Sequence, residues 1–194
     1  MPAETAALIL AAGRGSRFGS DKRRALGPWE GPLLHHVLGL YRPLFAVLGV
    51  VTGSDDAFGA EACRLFSAHR VVNRHAERGM GTSLARGAAW LIEQGVACAV
   101  IGLADMPWLR PETIAAVSAE GLRGGRAVAP AFAGKPGFPR ALPAALLPEL
   151  VKLTGDRGAA AVIDWTRARW LDVEDPGILR DIDMPEDIEG KETS

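Results

Sequence analysis

The residues best suited to chemistry are a small set of carboxylates and a basic, glycine-rich turn. Asp105 follows the apolar run Val100-Ile101-Gly102-Leu103 and precedes Pro107 by two residues. A proline there takes the chain out of a sheet and leaves the aspartate at a strand's carboxyl end, where open α/β sheets bind ligands. Near the other terminus Asp181-Ile182-Asp183 has period-two spacing, which on an extended segment turns both carboxylates the same way. Carboxylates of this kind suit Mg2+, which is held by one or two carboxylates together with phosphate oxygens and retained water. Asp105 and Asp183 are the metal candidates, and Asp181 is the group that could add to them or orient a basic neighbour.

The partner for such a metal stands near the amino terminus. Leu10-Ala11-Ala12-Gly13 runs out of the apolar stretch Ala6 to Ala12 into Gly13, Gly15 and Gly19, interleaved with Arg14, Arg17 and then Lys22. Glycines let backbone N–H groups approach an anion, and Arg and Lys supply positive charge. The spacing G-x-G-x-x-x-G is neither the dinucleotide fingerprint G-x-G-x-x-G nor a Walker A loop, which needs Gly-Lys-Ser/Thr. A different phosphate loop is implied, and a triphosphate beside two carboxylates needs the metal, Arg17 and Lys22 to offset the repulsion. At an effective dielectric near 20, one unit-charge pair about 4 Å apart is worth roughly 4 kcal/mol.

The elements that must position these groups alternate. Strand patterns cover Ala6–Ala12, Phe45–Thr52, Val71–Val72, Ala97–Leu103, Ala127–Phe132 and, weakly, Arg169–Val173. Between them, helical patterns run from Pro32 to Tyr41, from Asp55-Asp56 to His69, from Thr82 or Ser83 to about Gln94, and onward from Pro111; Pro143–Leu153 and Ala159–Trp165 also read as helices. This alternation predicts an α/β fold, Rossmann-like, with a mostly parallel sheet and helices on both faces. The length of 194 residues without a low-complexity stretch predicts a single domain, 1–194.

Composition removes several function classes. A formal net charge of −1, and five tryptophans scattered rather than grouped with basic residues, argue against a nucleic-acid partner. No stretch approaches the roughly 18 apolar residues of a membrane span, and no basic segment precedes an apolar signal core, so the expected location is cytoplasmic, with no membrane partner. Cys63 and Cys98 are two isolated thiols, expected to be buried. The four histidines form no H-x-x-x-H pair and no serine–histidine–acid pattern.

Four ordered motifs together resemble one family, the nucleotidyltransferases of molybdenum cofactor biosynthesis, which includes guanylyl- and cytidylyltransferases. They are Leu10 to Lys22, Gly79-Met80-Gly81-Thr82-Ser83-Leu84, Leu103-Ala104-Asp105-Met106-Pro107 and Asp181-Ile182-Asp183-Met184-Pro185-Glu186-Asp187. The resemblance implies a Rossmann-like nucleotidyltransferase fold and transfer of a nucleoside monophosphate from an NTP to a phosphorylated small acceptor, with pyrophosphate released. It implies that Arg17 and Lys22 are catalytic, that Leu10, Ala11, Ala12, Gly13, Gly15, Ser16, Gly79, Gly81, Thr82 and Ser83 contact the nucleotide, and that Asp105 and Asp183 hold Mg2+. Ala12 is closer to the cytidylyl branch, which favours CTP over GTP. The implied acceptor is molybdopterin, delivered to a molybdoenzyme maturation partner; a sugar or polyol phosphate is the alternative. A non-catalytic nucleotide-binding module would have no use for Lys22, Asp105 and Asp183 together.

The chain also departs from the family pattern. Lys22 to Trp29 is about two residues longer than usual, which makes Arg23 and Arg24 candidates to share the work of Lys22. Phe138 stands where His or Asn is usual before proline, and Ala160 stands where arginine is usual. Both changes fall on the acceptor side.

Overall fold

A computed structural model describes residues 4–13 and 18–189. Four parallel strands form one half of the sheet, from its edge inward: β1 (Thr5–Leu10), β2 (Val47–Gly53), β3 (His69–Asn73) and β4 (Cys98–Leu103), in the order β3-β2-β1-β4. Residues Ala6 to Ile9 of β1 are fully buried, and their side chains alternate between two cores. Ala7 and Ile9 join one, while Ala6 and Leu8 join the other. This is why the run reads as continuously apolar.

Helices α1 (Leu33–Tyr41), α2 (Ala57–Leu65) and α4 (Pro111–Gly124) cover the first face with Leu34, Leu38, Ala62, Ile114 and Val117. The second face is covered by α3 (Met80–Gln94) and the short α5 (Leu147–Val151), through Leu84, Ala88, Leu91, Leu147 and Leu150. Helices on both faces and four parallel strands are as the alternating pattern requires.

Beyond β4 the sheet becomes mixed. β7 (Arg140–Pro143) pairs antiparallel with β4, and β5 (Val128–Phe132) pairs antiparallel with β7 and with the two-residue β6 (Lys135–Pro136). β8 (Arg169–Asp172) runs parallel to β5. The sequence patterns miss β6 and β7, and Pro143 closes β7 where a helix was expected to begin. The expected helix over Ala159–Trp165 is two 3-10 turns, Ala159–Ala161 and Trp165–Arg167. α3 begins at Met80, two residues before the capping position expected at Thr82, because Gly79 at φ +108° makes the turn itself. α2 ends at Leu65, leaving His69 to open β3.

The chain winds outward from β1 to β3 and then returns to β4 on the other side of β1. The carboxyl ends of β1 and β4 therefore flank the crevice that such a reversal creates. Lys22 lies downstream of β1, and Asp105 follows β4.

Candidate active site

Lys22 sits in a 3-10 turn, Lys22–Arg24, capped by Asp21, whose carboxylate accepts from the Arg23 N–H at 3.2 Å. The turn aims its ammonium group across the crevice. Lys22 Nζ lies 2.7 Å from Asp105 Oδ2, 2.7 Å from the Ile182 carbonyl oxygen and 3.5 Å from Asp183 Oδ1. Its side chain is 15% exposed, so this is a half-enclosed pair in which charge is weakly screened.

Backbone contacts set the acidic residues. Ile182 N–H donates to the Asp105 carbonyl at 2.9 Å, which seats the extended segment 181–183 against the turn after β4. Ile182 is fully buried, so its two neighbours project the other way. The Asp187 carboxylate accepts from the Asp183 and Met184 N–H groups, at 2.9 and 2.8 Å, and fixes the next turn. One oxygen each from Asp105, Asp181 and Asp183 lie within 4.8 Å of one another. Burial and then the neighbouring Asp105 and Asp183 charges push the Asp181 carboxyl above its ordinary range. Three hard oxygen donors converging in this way fit Mg2+ or Mn2+ rather than a soft metal.

Beside this cluster a cavity of about 640 Å³ opens over the ends of β1, β2 and β3. Ala12 and Gly13 form one wall, Ser54, Asp55 and Asp56 a second, and Asn73 and Arg74 a third. Its size suits a nucleoside, and its walls mix donors with acceptors.

Arg23 proves to be a clip rather than a second Lys22. Its guanidinium donates to both Asp21 oxygens at 2.8 Å, to the Ala11 carbonyl at 2.8 Å and to Asp56 Oδ1 at 3.1 Å, with Asp56 Oδ2 also in contact. Burial opposes its charge, but Asp21 and Asp56 outweigh burial and hold it firmly protonated. Burial likewise opposes ionisation of Asp21, yet the Arg23 hydrogen bonds and charge keep that carboxyl below its usual range. Arg24 instead lies over the Phe58 ring, 4.2 Å from its centroid, and is 60% exposed. Because the Arg23 and Asp56 side chains are only 13% and 10% exposed, Arg23→Ala leaves a largely enclosed carboxylate with no guanidinium partner, although Gly59 N–H still donates to it at 2.8 Å. The expected cost is about 3 kcal/mol, read as a lower urea midpoint at unchanged m-value, against under about 0.5 kcal/mol for Arg24→Ala.

The remaining expected site residues divide. Leu10 ends β1, and Ala11 is buried beside it, with its N–H given to the Val51 carbonyl. Gly79 and Gly81 pack against the 154–157 turn, where Gly81 N–H donates to the Gly155 carbonyl at 2.8 Å. Thr82 and Ser83 both accept from the Asn73 amide, at 2.9 and 3.0 Å. Gly15, Ser16 and Arg17 lie outside the described residues. Asp55, Asp56, Phe58 and Asn73 were not singled out from the sequence. For Asp55 and Asp56 the signal was available, since they follow the end of β2 as Gly13 follows β1 and Asp105 follows β4, whereas Asn73 is the last residue of β3 and Phe58 lies within α2.

A reversing parallel sheet, with a lysine–carboxylate centre beside a nucleoside-sized cavity, defines the nucleotidyltransferase class. Residues 7–170 match the MobA-like NTP transferase domain, and the chain belongs to that family. Over 110 residues it is 36% identical to the bifunctional protein GlmU of Cereibacter sphaeroides, a match covering 55% of this chain but only 24% of that protein. Among solved structures, the Mycobacterium sp. strain JC1 homologue of Mycobacterium tuberculosis Rv0371c superposes with a TM-score of 0.80 at 25% identity, covering 97% of this chain and 95% of the other. Rv0371c itself, in complex with manganese, superposes with a TM-score of 0.78 at 23% identity, covering 97% of this chain and all of that one.

Proposed function

We propose that this nucleotidyltransferase takes a nucleoside monophosphate, CMP in preference to GMP, from an NTP with Mg2+ and transfers it to a phosphorylated small acceptor, molybdopterin first among candidates. The observation that carries this reading is the contact of the Lys22 ammonium with Asp105 and Asp183, made from a turn whose other two residues, Arg23 and Arg24, line the nucleoside-sized cavity. Asp105 and Asp183, with Asp181 alongside, would hold the metal, which when bound offsets negative charge on the phosphate oxygens. Ala12 and Gly13 would meet the nucleotide, as would Leu10, Ala11, Gly79, Gly81, Thr82 and Ser83 through their backbone or the turns they shape.

No protein nucleophile is required. An acceptor phosphate oxygen, already ionised near neutral pH, attacks the α-phosphorus; the new P–O bond forms as the bond to the β-phosphate oxygen breaks, and pyrophosphate leaves with that electron pair. Catalysis is then alignment of the two substrates together with charge stabilisation by Lys22 and Arg17.

The test is pyrophosphate release with each NTP, Mg2+ and a panel containing molybdopterin and sugar or polyol phosphates. CTP with molybdopterin is expected to give the highest kcat/KM. Release only with a sugar or polyol phosphate would move the assignment to that acceptor, and no release with any pair would reject the activity.

A further inference from the structure

The nucleoside-sized cavity lies over the ends of β1, β2 and β3, which leaves the β4-β7 side of the sheet outside it. Arg140 is the first residue of β7, opposite Ile101 of β4. As β7 runs antiparallel, its first residue lies toward the carboxyl end of β4, the end that carries Asp105. The preceding residues are fastened to the acidic segment's approach: Phe138 N–H donates to the Ile178 carbonyl at 3.0 Å, three residues before Asp181.

Arg140 is held in an unusual way. Its guanidinium carbon lies 4.6 Å from the Phe138 ring centroid and 4.5 Å from that of Trp165, so aromatic rings cover it. Stacking of this kind satisfies the faces of a guanidinium but not its rim, where all five N–H donors point. Of these, the Nε–H reaches the Gly137 carbonyl at a long 3.4 Å, and among the described residues no carboxylate and no other acceptor takes the rest. The adjoining Trp165 Nε1–H is buried and also lacks an acceptor. Burial lowers the Arg140 pKa, and no acidic group raises it again. Arg23, by contrast, is enclosed to a similar degree and has two carboxylates. Arg140 is partly buried, and its guanidinium nitrogens are not among the buried atoms that lack a partner, so the rim of the fork stays open to an incoming anion while its faces are covered.

We propose that Arg140 is the anchor for an oxyanion of the acceptor, a phosphate or carboxylate group gripped in bidentate fashion by the guanidinium fork. The two rings fix the plane of the fork, and a planar fork matches the paired oxygens of such a group. The assignment to the acceptor rests on the nucleotidyl-transfer reading; the anion site itself does not. It makes Arg140 a specificity residue for acceptors bearing an accessible negative group, at the position following the Phe138-Pro139 departure from the family pattern.

The five tryptophans supply the probe, as each gives one indole N–H resonance. Inorganic phosphate and, separately, acetate are titrated into the full-length 15N-labelled protein, and the Trp165 signal is assigned by its absence in Trp165→Phe. The expected result is a saturable shift of that signal with an apparent Kd in the range of about 1–10 mM. Arg140→Gln should abolish the shift, and Arg140→Lys should weaken binding at least about tenfold. The arm that saturates first identifies phosphate or carboxylate. A Trp165 signal that stays fixed in both titrations, or shifts equally in the variants, overturns the proposal. Should Arg140→Gln lose the dispersed indole spectrum of a folded chain, Arg140→Lys decides alone. CTP binding, followed on the same samples, tests the nucleotide reading separately: phosphate binding without CTP binding would leave the site and reject its assignment to an acceptor.

Discussion

Lys22→Ala is expected to lower kcat/KM for pyrophosphate release at least about 100-fold, equivalent to roughly 2.7 kcal/mol of transition-state stabilisation. The magnitude follows from what the ammonium faces. In the free protein Lys22 offsets Asp105, Asp183 and the Ile182 carbonyl from a position only 15% exposed. On the proposed reading a nucleotide would bring further negative charge to the same place, and in a partly enclosed crevice a fixed cation is worth several times its value in bulk water. Removing it also leaves Asp105 without its cation, so the loss should be visible in the free protein as reduced stability. Lys22→Arg separates the two effects, since it keeps charge but not the compact ammonium that fits between the two aspartates. Near-normal turnover in Lys22→Ala would remove the assigned role.

How far the sequence revealed this site depended on the range of the interactions involved. β1 and β4 were legible because both faces of a parallel strand are buried, leaving an unbroken apolar run such as Ala6–Ile9 or Cys98–Ile101. Asp105 and the Asp181/Asp183 pair were legible because a strand end and a period-two spacing fix direction locally. Their meeting was inferred only from chemistry, because nothing local encodes a hydrogen bond between Ile182 and Asp105. The role of Arg23 was hidden for the same reason: its partner Asp56 is 33 positions away, and a run of Lys22-Arg23-Arg24 looks uniform. β7 was hidden by composition, for Arg140-Ala141-Leu142-Pro143 has too few β-branched residues to declare a strand and ends in a proline that resembles a helix start. The 3-10 turns over Ala159–Ala161 and Trp165–Arg167 were mistaken for one helix because an alanine run has high helix propensity, while Asp164 breaks it by capping the second turn through Thr166 N–H.

Asp105→Asn is expected to match the loss in Lys22→Ala, at least about 100-fold in kcat/KM, and to do so with a distinct signature. Asparagine keeps the shape of the side chain and an oxygen but removes the charge that a divalent ion needs, so folding should be largely retained and metal-linked stabilisation lost. Linkage makes this measurable without turnover. A ligand that binds only the folded chain raises Tm, and where two ligands strengthen each other's binding, as a cation and a polyphosphate do, the joint shift exceeds the sum of the separate ones. Mg2+ with CTP should therefore raise the wild-type Tm by more than the two additions taken singly, whereas Asp105→Asn should show only the shift with CTP alone. Equal joint shifts with GTP would remove the preference for CTP. Within the cluster the three carboxylates should not be equivalent. Lys22 Nζ lies 2.7 Å from Asp105 and 3.5 Å from Asp183 and so fixes both of these carboxylates, whereas no such contact ties Lys22 to Asp181 among the described residues. Asp181→Asn is accordingly expected to cost less in kcat/KM than Asp105→Asn, and the reverse order would place the metal on Asp181 rather than on the aspartate that Lys22 touches at 2.7 Å.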